Sequence, residues 1–343
     1  MKMNQMLFLI FVLIIILNTV HCDTTEPPVD NLQPGRRDYV WTVDTLNIPF
    51  NVLESIWGFS PSDIWVIGKG GDLAKTIYHF NGSAWKTDGI SRNVNPRTIW
   101  GFSANDIWIG GANTFWHYDG NYWKEHTYFT IPGYTYCGIE DVWGDNPNNI
   151  YAVGYAENNE GFSGLVMHYD GTNWTQSNFP MLERYNFDRI RKGENTNYYI
   201  LGIRVEQFGE DTLKIFELVS NSLNEIYKGY TYVDSGGSFE QIGKEIFFLN
   251  NRKIGTYSSN QFHQVVKISE LNFGGAFWGR NEKDIFLRMY DGIAHYNGTD
   301  IKYLYSFRQG ISISDAMLFE KDVFFLAYDF NNGLNLTIRG KIN

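Results

Sequence analysis

The sequence predicts an all-β chain of seven four-stranded units closed into a ring, on three observations. First, "SIWGFSPSDIWVIGKGG" at residues 55–71 returns as "TIWGFSANDIWIGGANT" at residues 98–114. Second, "YHFNGSAW", ending at Trp85, returns as "WHYDGNYW" ending at Trp123, "MHYDGTNW" ending at Trp174 and "AHYNGTDI" ending at Ile301. Third, aromatics make up 17% of the 343 residues, with 11 Trp, 22 Tyr and 25 Phe beside 34 Gly. Aromatics pack well on pleated surfaces and Gly supplies positive φ, while no long stretch carries a clean helical apolar period. A strand-rich repeat of roughly 40–45 residues is the signature of β-propeller blades.

The units follow in order. After the first two come "DVWGDNPNNIYAVG" (residues 141–154), "RIRKGENTNYYILG" (189–202), the weaker "SFEQIGKEIFFL" (238–249), "AFWGRNEKDIFL" (276–287) and "DAMLFEKDVFFL" (315–326). Their equivalent positions read Trp57, Trp100, Trp143, Arg191, Phe239, Trp278 and Ala316, in steps of 43, 43, 48, 48, 39 and 38 residues. In the first unit the first strand ends before "GFSPSD", the second is "IWVIG", the third is "TIYHF" and the fourth opens at "AWKTD". The Asn-Gly or Asp-Gly pair reads as a two-residue hairpin turn with positive φ at both positions. The Gly after Trp and the polar residues before "IW" read as the turn between first and second strands. That gives Asp63, Asp106, Asp284 and Asp322 a capping role. Trp and Ile form the wedge between blades, and the short Gly-rich second strands are expected nearest the axis.

The last unit supplies three strands at most, ending at Asn343, while an orphan strand "YVWTVDTLN" lies at residues 39–47. Its Trp41 resembles the Trp that opens other fourth strands, so it is expected to complete the seventh blade and remove an open sheet edge.

Ahead of it, Lys2 precedes the apolar run "MLFLIFVLIIIL", and "NTVHC" ends at Cys22. A basic start, about a dozen apolar residues and a cleavage region describe a secretory signal over residues 1–22, too short to span a membrane comfortably. Residues 23–38 lack apolar partners and read as a disordered tether, with residues 39–343 as one propeller domain. Cys22 is the candidate lipidation site, although His21 stands where a small residue is usual. The only other cysteine, Cys137, is then an unpaired buried thiol, and two distant cysteines make no metal centre. A formal charge of −10 argues against nucleic acid as a partner.

Residues 39–343, with their WGxSxxDIWxVG…HYDGxxW units, resemble bacterial secreted β-propellers common among envelope lipoproteins. The resemblance implies the seven-bladed fold and a cell-envelope or extracellular location, with the membrane reached by a lipid anchor only. "YDGTNW" (residues 169–174) is also similar to the Asp-box of sialidases, but His79, His117, His168 and His295 stand where its Ser would be. Fold alone does not carry an activity.

Length variation falls on the second-to-third and inter-blade loops, which share one face of the disc, and binding loops belong there. The candidate binding residues are Tyr128, Phe129, Tyr134, Tyr136, Phe162, Arg184 and Tyr185, because exposed aromatics offer rigid faces to sugars or protein anchors. No GxSxG, HExxH or P-loop pattern is present, and no catalytic residue, metal or cofactor is expected. The reading is a monomeric binding or scaffold module for an unidentified protein or glycan. The alternative is a glycosidase or sialidase-like enzyme gathering acids and arginines on the axis, with Arg97, Arg189, Arg191, Arg280 and Arg288 as the arginines near it.

Overall fold

The structure, a computed structural model, describes residues 32–46, 48, 51–194, 197–219, 222–230, 237–258 and 261–342. The chain divides into Met1–Gln33 and a compact unit, Pro34–Asn343. The signal segment and Cys22 lie outside the described residues.

Seven antiparallel four-stranded sheets form the blades of a β-propeller. Their first strands are Asn51–Ser60, Thr98–Ser103, Tyr136–Asn146, Tyr185–Lys192, Ser238–Ile242, Phe273–Asn281 and Ile311–Leu318. These strands touch one another from blade to blade, so they, and not the Gly-rich second strands, surround the axis. Val40–Leu46 pairs along Leu334–Lys341 and completes the seventh blade. Trp41 faces Gly340 there, as Trp123 faces Tyr118 in blade 2, so the orphan strand enters in the expected phase.

Residues 34–38, read in the sequence as tether, are docked on blade 6. Gly35 N donates to Lys283 O at 2.9 Å, and Arg37 donates to Asp300 Oδ1 at 2.6 Å and to His295 O at 2.9 Å. A Cβ at Gly35 would stand 2.6 Å from Asp284 Oδ1 and 2.7 Å from His295 Cε1, so only glycine fits.

Side chains between blades form the core. Trp57, Trp65 and Ile67 of blade 1 pack with Ile99, Ile107, Ile109 and Trp123 of blade 2. Each such burial stabilises by about 1.5–3 kcal/mol. The glycine after each Trp serves this packing. A Cβ on Gly101 would meet Trp57 at 2.6 Å, on Gly144 Phe102 at 2.8 Å and on Gly279 Ile242 at 2.7 Å. Each glycine makes room for the preceding blade.

Three local readings change. The aspartates of "DIW" brace the third strand instead of capping the turn: Asp63, Asp106 and Asp284 meet Nε2 of His79, His117 and His295 at 2.6–2.7 Å. Those rings pack on Trp65, Trp108 and Phe286. The turn itself is capped by Ser60, Ser103, Asn146 and Asn281, which accept from the backbone N–H two residues on.

The Asn-Gly and Asp-Gly loops hold positive φ only at glycine (Gly82, Gly120, Gly171, Gly298). The preceding Asn or Asp accepts from the N–H groups two and three residues on, as Asp170 does from Thr172 and Asn173 at 2.8 Å. These are Asx turns in a longer loop, not two-residue hairpins.

Finally, Glu240 and Met317 face the second-strand aromatics Phe247 and Phe324, as Trp57 faces Trp65. They hold the repeat position assigned on sequence to Phe239 and Ala316. Neither strand carries a Trp that would mark the phase.

Candidate functional site

Three residues before the Trp position, the first strands of blades 1, 3, 4 and 7 break their alternation. Register shifts mark Glu54, Glu140, Asp188 and Ser314 as the extra residue of a β-bulge. A bulge turns two successive side chains toward the same side, so each strand gives the axis a polar pair. These pairs are Glu54–Ser55, Glu140–Asp141, Asp188–Arg189 and Ser314–Asp315. In blade 2 Arg97 and Thr98 stand at the same phase.

Together they line an axial cavity of about 400 Å³ whose walls include Trp57, Trp100, Trp143 and Trp278. It holds six carboxylates (Glu54, Glu140, Asp141, Asp188, Glu240, Asp315) and three guanidiniums (Arg97, Arg189, Arg191).

The second member of each pair ties blades together. Thr98 Oγ1 accepts from Val142 N at 3.0 Å, Asp141 Oδ2 from Ile190 N at 2.9 Å, and Asp315 Oδ2 from Ile56 N at 3.1 Å. All three arginines are held by a neighbouring blade. Arg97 pairs with Glu140, Arg191 with Asp141, and Arg189 with Glu240. Arg191 Nε also stands 3.4 Å from Glu240 Oε1. Lys69 holds Glu54 at 3.0 Å.

Two acids have no such cation. Asp315 accepts from Ile56 N, Ser55 Oγ and Ala316 N. Burial pushes its carboxyl up to about 6, against the pull of those N–H groups and of Arg189. Among the described residues no hydrogen bond or ion pair reaches Asp188. Burial raises its pKa too, Arg189 opposing and the nearby Glu140 and Asp141 reinforcing.

The axis therefore gathers the acids and arginines that the enzyme alternative required, and Arg97, Arg189 and Arg191 are there as expected. Arg280 and Arg288 are not in the cavity wall. Arg280 grips Asp284 and Phe319 O, and Arg288 donates to Gly274 O and Ile313 O. The acids themselves had escaped the sequence reading. Their signal was two consecutive polar residues at one phase of the repeat, as in "LESIW", "PRTIW", "IEDVW", "FDRIR" and "ISDAM".

The loop residues chosen from sequence separate. Tyr134, Phe162 and Arg184 come together with Asn158, Glu160 and Glu183 around a groove of about 340 Å³. Tyr134 Oη donates to Ser163 Oγ at 3.0 Å, and Arg184, at φ 65°, donates its N–H to Phe162 O at 2.8 Å.

The other four lie outside this groove. Phe129 stacks on Phe115, Tyr136 leans on Tyr155, and Tyr185 is buried against Phe187 and Phe216. Tyr128, 62% exposed, lies at the end of its strand. Cys137 is a buried free thiol, pushed up to about 11 by desolvation against hydrogen bonds with Ile131 and Asn113. No helix among the described residues is long and apolar enough to cross a membrane.

No protein-family model matches the chain, and no curated protein matches it. Solved structures do. A catalytically inactive virginiamycin B lyase from Staphylococcus aureus, with quinupristin, is 12% identical over 89% of this chain and 100% of its own, at TM-score 0.59. YCF48 bound to D1 peptide is 12% identical over 92% of this chain and 100% of its own, at TM-score 0.58.

The extracellular domain of a putative one component system from B. thetaiotaomicron is 11% identical over 89% of this chain and 40% of its own, at TM-score 0.57. Sqt1 from Chaetomium thermophilum, bound to the N-terminus of a ribosomal protein, is 11% identical over 84% of this chain and 88% of its own, at TM-score 0.50. At these identities the likeness is one of fold, and the neighbours' functions are mixed.

Proposed function

We propose that this chain is a binding module that holds an extended segment of a partner protein on its loop-bearing face, with part of that segment in the axial cavity. One observation carries the reading: groove and cavity are served by one stretch of chain. Arg184 lines the groove, and Asp188, four residues on, lines the cavity. Four residues of strand rise about 13 Å, the span of a short peptide. The fold neighbours add support, since one is bound to a peptide and another to a protein N-terminus.

The test is an array of immobilised pentadecapeptides beside a glycan array, probed with the wild type and a Tyr134→Ala/Phe162→Ala variant. Peptide binding lost in the variant supports the reading. Signals confined to glycans, or peptide binding indifferent to the substitutions, sink it.

A second reading, a carbohydrate-active enzyme, is favoured by the axial acids alone. A carboxyl that burial pushes up to about 6 is the kind that serves as a general acid. Release of reducing sugar by the wild type but not by Asp315→Asn would establish it, and equal rates would remove it.

The leader points to secretion, with Cys22 carrying the lipid. A Cys22→Ser chain that still fractionates with membranes would overturn the anchor.

A further inference from the structure

The axial cavity has a charge deficit that its own residues leave open. Its three guanidiniums are spent on Glu140, Asp141 and Glu240, and Lys69 takes Glu54. Asp188 and Asp315 form no ion pair among the described residues, although Arg189 lies near enough to act on both. Buried carboxylates left this way are costly, and a cation entering the cavity would relieve the cost.

A second feature of the wall is independent of charge. Trp143, 5% exposed, stands in the cavity wall, and among the described residues neither its enclosed indole N–H nor the enclosed Nε of Arg97 finds an acceptor. Such donors want a carbonyl or hydroxyl oxygen. The rings of Trp57, Trp100 and Trp278 complete the wall, and indole faces attract cations. Among the described residues no three His, Cys, Asp or Glu side chains are grouped to hold a metal ion. The missing group is thus organic, with positive charge and an oxygen acceptor close to it. A peptide supplies both, through an ammonium or guanidinium beside its own carbonyl.

Resting on the binding reading above, we infer that the axial cavity seats one organic cation of the bound segment, a lysine or N-terminal ammonium or an arginine guanidinium, against Asp188 and Asp315. Its arrival places a positive charge between Asp188 of blade 4 and Asp315 of blade 7, neither of which an arginine pairs among the described residues.

The experiment is calorimetric titration of the secreted chain with acetyl-Gly-Gly-Arg-Gly-Gly-amide, its Gln-for-Arg analogue and agmatine. Asp188→Asn and Asp315→Asn are titrated in parallel, and each variant's melt is recorded as a folding control. The inference expects the Arg peptide and agmatine to bind, the Gln peptide to bind about tenfold or more weakly, and each Asn variant to lose about tenfold or more for the cations. Arg and Gln peptides bound alike would overturn the cation while leaving the peptide-binding reading intact. Failure of both peptides and agmatine on a folded wild type would remove both.

Discussion

Asp315 of blade 7 accepts a hydrogen bond from Ile56 N of blade 1 at 3.1 Å, across the seam where the ring closes. The carboxylate that fastens the seam is also the acid that burial pushes up to about 6. Its unfolded value lies near 3.9. A folded pKa above the unfolded one means that the folded chain resists ionising Asp315. Its contribution is full below pH 4 and is lost as pH rises through 6. Two units correspond to at most about 3 kcal/mol, since the cavity admits water.

Asp315→Asn keeps an oxygen for Ile56 N and removes the charge. Its stability in urea is therefore expected to exceed the wild type at pH 7 and to converge with it near pH 4. Parallel curves across that range would refute the assignment.

Room for the preceding blade, not turn geometry, dictates the glycine after Trp. Gly101→Ala drives a methyl group toward the Trp57 ring, which lies 2.6 Å from the added carbon. Overpacking of this kind costs about 1–3 kcal/mol. Gly133→Ala, with open space around its Cβ but φ of 85°, isolates the backbone cost for comparison. Equal melts for Gly101→Ala and the wild type would show that the blades shift apart freely.

The blade count and the closing strand were legible because the residues that wedge blades recur in every unit, and packing demands the same side chain at each turn of the ring. The phase slipped only where "SFEQIG" and "DAMLFE" offer no Trp to fix it, at Glu240 and Met317. The axial site was less legible for a different reason. A bulge is a pairing event between two strands, and Glu140 or Asp188 read singly looks like an ordinary polar residue facing solvent. The loop aromatics misled in the opposite sense. Phe129 and Tyr185 occupy loop-like sequence, yet they cover the bases of their blades, as apolar rings do wherever an aromatic-rich core lies within reach.

Removing residues 1–47 leaves Leu334–Lys341 as an exposed edge with unpaired N–H and C=O groups. It also uncovers the contacts of Trp41 with Tyr305 and Phe325. A chain that starts at Ile48 is expected to melt about 10 °C or more below one that keeps residues 32–47 and to self-associate through the bared strand. Differential scanning calorimetry with light scattering reads both effects. An unchanged melt would mean that the ring does not depend on its N-terminal clasp.

His295 is fully buried, whereas the side chains of His79 and His117, in the same brace, are 34% and 28% exposed. The difference is the strap over blade 6, where Arg37 Nε donates to His295 Nδ1 at 3.3 Å. Desolvation pushes the His295 pKa down, Asp284 opposes, and the charges of Arg37 and Arg280 add to the depression.

A histidine with a depressed folded pKa contributes stability that is present above its unfolded value, near 6.5, and lost as pH falls below it. Arg37→Ala removes one cation and lets water reach the ring, so His295 should titrate at higher pH by imidazole NMR. The wild type's advantage over the variant at pH 8, set by the strap's hydrogen bonds, should narrow as pH falls toward 5, because the freed imidazole charges more easily. A His295 resonance that titrates identically in both proteins would show that the strap is not what keeps this imidazole neutral.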